Sequence, residues 1–238
     1  VFFIYYLLGF PQAPSTTSAF GTAIHATLSW VGNQLSRSGK IPTQKQVLDY
    51  FELRMQGGWL REDERQRLIT RGKDALVVWL DQVGTGLAAD NKYEFSFASE
   101  GVMLGGARLS GRLDRIIFDH RNRRLSVVDI KTGKALRRFD SSTKAHKFKQ
   151  QLMFYKLLVE GSSSFSGYTV DKGYIEFAEP DGGEIVRLEY TYSDKELAEF
   201  KKLISAVWQS AQSLKLPDIS QYPKSLKGIR QFEQDLTK

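Results

Sequence analysis

The chain has 238 residues, enough for one large domain or two small ones, and 41% of them are hydrophobic, enough for a substantial core. Charged residues make up 26%, which argues against bulk disorder, and the absence of cysteine excludes disulfides, Cys-ligated zinc and Cys-ligated iron–sulfur clusters. A net charge of +7 favours a polyanionic partner, nucleic acid before an anionic membrane, although a merely basic surface fits the charge equally well.

The chain starts at Val1 rather than Met, so a fragment of a larger protein is expected. Val1 to Phe10 is apolar but too short to span a bilayer and lacks the basic flank of a signal peptide. It reads as a buried helix, followed by a Pro/Ser/Thr connector. With no stretch resembling a membrane span, a cytoplasmic protein without membrane contact is expected.

Ser18 to Leu35 is a predicted helix with an apolar stripe of Phe20, Ile24, Leu28, Val31 and Leu35. His25 sits at the stripe's edge, where a lone histidine is more often structural than a ligand. Pro42 to Gln56 is a second helix, opened by a Thr43/Gln46 capping box and ended by Gly57-Gly58. Arg61 to Val83 is a third, with Leu68, Ala75, Leu76, Trp79 and Leu80 as core. Its arginines, interleaved with Glu62, Asp63 and Glu64, read as a solvated charged face.

Lys92 to Ser99 alternates as a strand, with Tyr93, Phe95 and Phe97 on one face. Glu94 points the other way and reads as surface or a structural partner ahead of an outer acidic residue of a metal site. Gly105-Gly106 marks a bulge or a close backbone approach. Two Ile/Val/Leu-rich runs follow, Gly111 to Phe118 and Leu125 to Lys131, joined by a polar turn: a β-hairpin. If Phe118 pairs with Leu125, Asp114 faces Asp129 at roughly 4.5–5.5 Å between Cβ atoms. Like charges so placed need compensation, and a divalent cation supplies it; Mg²⁺ suits one or two carboxylates with water and phosphate. Alternation puts Lys131 on the same face as Asp129.

A basic segment from Thr132 to about Thr143, with Arg137 and Arg138, reads equally as a phosphate-contacting loop and as a charged linker. Lys144 to Val159 is a helix on which Lys144, Lys147, Gln151, Tyr155 and Leu158 form one stripe. Taken alone, Tyr155 reads as core and Gln151 as ordinary polar surface. Gly161 to Gly167 is a Ser-rich loop with expected mobility. Tyr168 to Ala178 and Glu184 to Tyr192 form a second hairpin. Ser193 to Leu214 is a helix with a Ser193/Glu196 capping box and a core side of Leu197, Phe200, Leu203, Ile204 and Val207. The basic tail from Pro217 ends with a short helix, and no internal repeat is evident.

Three motifs in order, Gly111-Arg112-Leu113-Asp114-Arg115, Asp129-Ile130-Lys131-Thr132-Gly133 and Gln151-Leu152-Met153-Phe154-Tyr155, resemble the RecB-like branch of the PD-(D/E)XK nucleases. The branch's N-terminal Gly-x-x-x-His motif is present as Gly21 to His25. The likeness runs from about Phe2 to Val159. It implies an α/β, restriction-endonuclease-like core: a mixed central sheet flanked by helices. One nuclease domain spans 1–238, with a helical part (1–90), a catalytic core (91–160) and a C-terminal hairpin and helix (161–238).

The resemblance further implies Mg²⁺ or Mn²⁺ held by His25, Asp114, Asp129 and the Ile130 carbonyl. Lys131 serves the attacking water and the phosphate, with Gln151 and Tyr155 orienting it or the strand. Lys144, Lys147, Arg137 and Arg138 are the candidate DNA contacts, and Arg115 is a structural ion-pair candidate. The implied activity is metal-dependent DNA cleavage, by an exonuclease serving repair and recombination beside a helicase. Alternatives are a stand-alone single-strand nuclease of the CRISPR-adaptation type, against which the missing cysteines count, an inactive DNA-binding clamp of a helicase, and a non-catalytic basic interaction domain.

Overall fold

A computed structural model describes residues 15–56, 60–214 and 217–238. The expected Val1–Phe10 helix and the Gly57-Gly58 stop lie outside the described residues. Among the described residues three helices come first: α1 (Thr16–Ser38), α2 (Gln44–Met55) and α3 (Glu62–Gln82). Ser15 caps α1 by accepting from the Ser18 N–H, and Gly39 ends it in the left-handed conformation at φ 69°. The apolar stripe on α1 is buried throughout, from Phe20 to Leu35. Thr43 and Gln46 form the expected capping box at the start of α2. On α3, Leu68, Ala75, Leu76 and Trp79 are buried and Leu80 is half-buried. Three of the arginines here are engaged: Arg61, just before the helix, with Asp63, Arg65 with Glu62, and Arg71 with the distant Glu179.

Strand β1 (Lys92–Ser96) leads to a short pair, β2 (Met103–Leu104) and β3 (Ala107–Arg108). Gly105 and Gly106, both at positive φ (53° and 83°), make the two-residue turn of that hairpin rather than a bulge. The remaining elements are β4 (Arg112–Asp119), β5 (Arg124–Lys131), α4 (Thr143–Glu160), β6 (Thr169–Phe177), β7 (Arg187–Thr191), α5 (Asp194–Gln212) and α6 (Leu226–Leu236). The main sheet runs β1-β4-β5-β6-β7. Its pairs are antiparallel except β5–β6, which is parallel and is joined through the crossover helix α4.

The sheet is covered on both sides, which is why β5 reads as an almost continuous apolar run. Val128 and Ile130 enter a core with α1, α2 and α3, whereas Leu125 and Val127 enter the core built with α4. The expected α/β architecture, a mixed sheet flanked by helices, is the one observed.

Three local expectations are corrected. Ser193 caps α5, but the Glu196 carboxylate accepts from Tyr190 Oη at 3.0 Å, so the second half of the capping box gives way to a tertiary bond. On α5, Val207 is half-exposed; Phe200, Ile204 and Trp208 pack on the core, following the i, i+4 face that begins at Leu197. The Ser-rich loop is tied down, since Glu100 accepts from the hydroxyls of Ser162 and Ser164.

Candidate active site

The β4–β5 hairpin adopts the expected register, Phe118 opposite Leu125, and the ladder continues to Arg115 opposite Val128. The next rung would join Asp114 to Asp129, and there the pairing changes. Asp114 Oδ2 instead accepts from the Ile130 backbone N–H at 2.6 Å. Leu113 and Ile116, three residues apart, both enter the α4-side core, so the alternation of β4 is broken at Asp114. Arg115 turns to the opposite side and donates to the fully buried Glu176 at 2.5 Å, with Trp79 Nε1 on the other carboxylate oxygen at 3.0 Å. The expected structural ion pair of Arg115 is therefore present.

On the other side of β4, Tyr93 pairs with Arg115 and Phe95 with Leu113, and the position between them is skipped. That position is Glu94, held at φ 49°. A non-glycine residue in the left-handed region costs about 1–3 kcal/mol and occurs where the surroundings impose it. The distortion turns Glu94 towards α1. His25 Nδ1 lies 3.3 Å from Asp114 Oδ1 and 4.0 Å from Glu94 Oε1. One donor atom from each of His25, Glu94 and Asp114 falls within 4.8 Å of the others. Glu94 thus belongs to the site, contrary to its reading as surface. Its signal lay in the β1–β4 register, which places it opposite Asp114 and which the sequence alone does not fix.

Asp129 is 2% exposed. Tyr155 Oη donates to its Oδ1 at 3.0 Å, and Gln151 Nε2 donates to Tyr155 Oη at 2.9 Å. The stripe on α4 therefore reaches the hairpin through Tyr155, with Gln151 behind it. Lys131 Nζ meets the other, buried oxygen of Asp129, Oδ2, at 2.7 Å as an ion pair. Burial pushes the Asp129 carboxyl up to about 6; Lys131 opposes that shift and the Asp114 charge adds to it. Burial and Asp114 also raise Glu94. Burial works against protonation of His25, yet the hydrogen bond and charge of Asp114, with Glu94 and Asp129 behind, raise it. Burial and the Asp129 charge raise Tyr155, which stays a phenol and a donor.

The loop after Lys131 is anchored from two sides. Ala178 N–H donates to Lys131 O at 2.9 Å. Glu179 accepts from the Gly133 N–H, and Arg71 grips the same carboxylate through Nε and Nη2. Gly133 sits at φ 92°, which favours glycine. Helix α1 closes on this loop at Gly21, where a Cβ would stand 3.3 Å from Thr132 Oγ1. Glu179 and Arg71 were not expected here, because they lie 46 and 108 residues from the groups they join or are joined to.

Of the predicted phosphate contacts, Arg137 is engaged by Asp181 (Nε to Oδ2 at 2.9 Å, Nη2 to the carbonyl at 3.0 Å). Lys144 is exposed, with Nζ donating to Lys134 O at 2.7 Å beside the rings of Phe148 and Phe177. Arg138 and Lys147 are exposed. Ile130 meets the site through its N–H to Asp114, while its side chain is buried in the α1-side core.

Two carboxylates and an imidazole converge where two strands splay, and the buried Asp129, paired with Lys131, lies on the adjoining strand. Oxygen donors with an imidazole suit a hard divalent cation, Mn²⁺ more readily than Mg²⁺ where histidine is included. The residues present fit such an ion. The fold and this donor set define a restriction-endonuclease-like hydrolytic centre. The chain belongs to the PD-(D/E)XK nuclease superfamily, whose family model matches residues 1–224. No curated protein matches the chain. Enzymes of this superfamily are nucleases that use divalent metals, and the absence of cysteine excludes a Cys-ligated iron–sulfur cluster. Among the described residues, no helix is long and apolar enough to cross a membrane.

Proposed function

We propose that this chain is a divalent-metal-dependent deoxyribonuclease of the RecB-like branch, an exonuclease that trims DNA in repair and recombination beside a helicase. The observation that carries the reading is the meeting of His25, Glu94 and Asp114 at the end of the hairpin that also bears Asp129 and Lys131. The four ordered motifs support the branch and the helicase context. Residues 1–238 are taken as one domain acting in the cytoplasm.

In this reading His25, Glu94, Asp114, Asp129 and the Ile130 carbonyl hold the ion. A bound divalent ion polarises the phosphoryl oxygens and makes a bound water more acidic. Lys131 Nζ, a compact charge 2.7 Å from Asp129 Oδ2, holds the attacking water against the phosphate and stabilises charge on its oxygens. Tyr155 fixes Asp129 by donating to Oδ1, and Gln151 fixes Tyr155. Lys144, Lys147 and Arg138 contact the DNA backbone, whereas Arg137 braces the loop through Asp181.

The test is cleavage of end-labelled single- and double-stranded DNA, linear and circular, with Mg²⁺, Mn²⁺ or EDTA, using wild type beside Asp129→Ala. Metal-dependent cutting of linear substrates that disappears in the variant is expected. Cutting that persists in Asp129→Ala overturns the site, cutting of circles replaces exo- with endonuclease action, and DNA binding without cutting in any metal replaces the enzyme with an inactive clamp.

A further inference from the structure

A groove of about 850 Å³ opens beside the acidic cluster and shares His25 and Glu94 with it, with Thr132 also in its lining. It runs along the outer face of α1 to Arg37, with α2 forming the other wall. From His25 to Arg37 the helix advances about 18 Å, the length of about five nucleotides at the ~3.4 Å spacing of stacked bases.

Its walls combine cationic and aromatic groups. Arg37 at the far end of α1 and Arg54 on α2 are both exposed and have no ion-pair partner among the described residues. Arg112 stands at the near end, two-thirds exposed, with Glu94 3.6 Å away. Between them Trp30 and Tyr50 lie face to face, ring centroids 4.5 Å apart and planes 6° from parallel. Both rings are half-buried; Trp30 packs on the α1-side core. Asn33 lines the groove beside them.

Guanidinium groups spaced along a groove neutralise phosphates, and an aromatic platform takes the faces of unpaired bases. In a duplex those faces are already stacked, so the ring pair would contribute nothing to its binding. We infer that this groove is the track of a single DNA strand leading into the acidic cluster, with Arg37 and Arg54 on its phosphates and the Trp30–Tyr50 pair as a base-stacking platform. The inference rests on the nuclease reading for its direction towards the cluster, and it names the substrate form that this site takes.

The experiment measures binding of an oligothymidylate and of a blunt hairpin duplex by fluorescence anisotropy in EDTA, with parallel cleavage of the oligothymidylate in Mn²⁺. The proteins are wild type, Tyr50→Ala and the Arg37→Ala/Arg54→Ala double variant, each checked for an unchanged unfolding transition. Tyr50 and the two arginines are used because Trp30 also supports the core. Both variants are expected to bind oligothymidylate about tenfold more weakly, and the double variant to lower the salt slope by about 1.4. Duplex binding falls much less with Tyr50→Ala. In cleavage, KM rises in step with the lost affinity while kcat stays within about twofold. Oligothymidylate affinity within twofold of wild type in both variants overturns the inference, as does an equal loss for duplex in Tyr50→Ala. Wild type that binds through the groove yet cuts in no metal removes the nuclease reading and leaves the groove; metal-dependent cutting by variants of unchanged affinity removes the groove and leaves the nuclease.

Discussion

Tyr155 of α4 donates its phenolic proton to Asp129 of β5 across 3.0 Å, at a point where both groups are buried. This bond joins the crossover helix to the strand that carries Asp129 and Lys131. The second Asp129 oxygen faces the Lys131 ammonium at 2.7 Å. The helix therefore fixes one oxygen of the carboxylate and the neighbouring lysine the other.

Tyr155→Phe should separate those two effects. The bond lowers the Asp129 pKa, so its loss lets burial raise the carboxyl further above about 6. The acid limb of the pH profile of kcat/KM should move to higher pH, with activity near neutrality reduced about tenfold. Stability should fall by about 1 kcal/mol for the missing hydrogen bond. An unshifted acid limb would show that the phenol does not act on Asp129. Gln151→Ala should show the same pattern more weakly, because Gln151 reaches Asp129 only through Tyr155.

Asp129 also makes the metal-free protein pay for its site. In an unfolded chain a carboxyl titrates near 3.9, and in the fold this one is raised to about 6. Below about pH 3 it is protonated in both states and costs nothing. As pH rises from 4 to 6 the folded protein holds the proton that the unfolded chain has released, and the penalty grows. Above 6 the buried anion costs on the order of 2–3 kcal/mol. Asp129→Asn should thus stabilise the metal-free protein at pH 7 while abolishing cleavage, and the gain should vanish by about pH 3. Urea unfolding of both proteins across this range measures the difference; a constant offset at every pH would refute the linkage.

The parts of this arrangement carried by local pattern were legible in the sequence. The Phe118–Leu125 register follows from a short polar turn between two β-rich runs, and the α1 stripe follows from its period. Whatever depended on how strands meet at a distance was not. Glu94 obeys alternation up to the point where its own backbone turns to φ 49°, and only the β1–β4 pairing shows that it faces Asp114. Glu179 lies between two predicted strands with no local signal of a role, because its partners, Arg71 and Gly133, come from an N-terminal helix and a loop. Arg137 looked available to phosphate because Asp181 approaches it from the β6–β7 turn. In each case a charge's role was decided by a partner on another element of the chain.

Glu94→Gln tests the enlarged donor set. The amide keeps the size of the side chain and removes the charge that faces His25 and Asp114. Mn²⁺ should raise the Tm of wild type, and the variant should need about 10–100-fold more metal for the same rise. Without metal the variant should be no less stable than wild type, since burial and Asp114 already disfavour the Glu94 anion. An unchanged Mn²⁺ dependence would return Glu94 to a structural role.

The distance between α1 and β1 that brings His25 to Glu94 is set by a missing side chain. Gly32 is buried two turns along the same face of α1 from His25, and a Cβ there would lie 2.3 Å from Tyr93 Cε1 and 2.4 Å from two further ring atoms. Tyr93 is the residue before Glu94, and its ring is too rigid to yield as a flexible chain end would. Gly32→Ala gains about 1 kcal/mol of helix propensity, but overpacking costs about 1–3 kcal/mol, so a net loss of stability is expected. Relief of the clash requires β1 to move away from α1, which opens the His25–Glu94 pair at the same time. The variant should therefore lose Mn²⁺ affinity as well as stability, although Gly32 touches no donor atom. Gly86→Ala is the control, because nothing lies within 4 Å of its added Cβ and its φ is not positive. Urea unfolding with a Mn²⁺ titration reads both effects, and a Gly32→Ala protein with full metal affinity would show that the helix–strand spacing does not set the site.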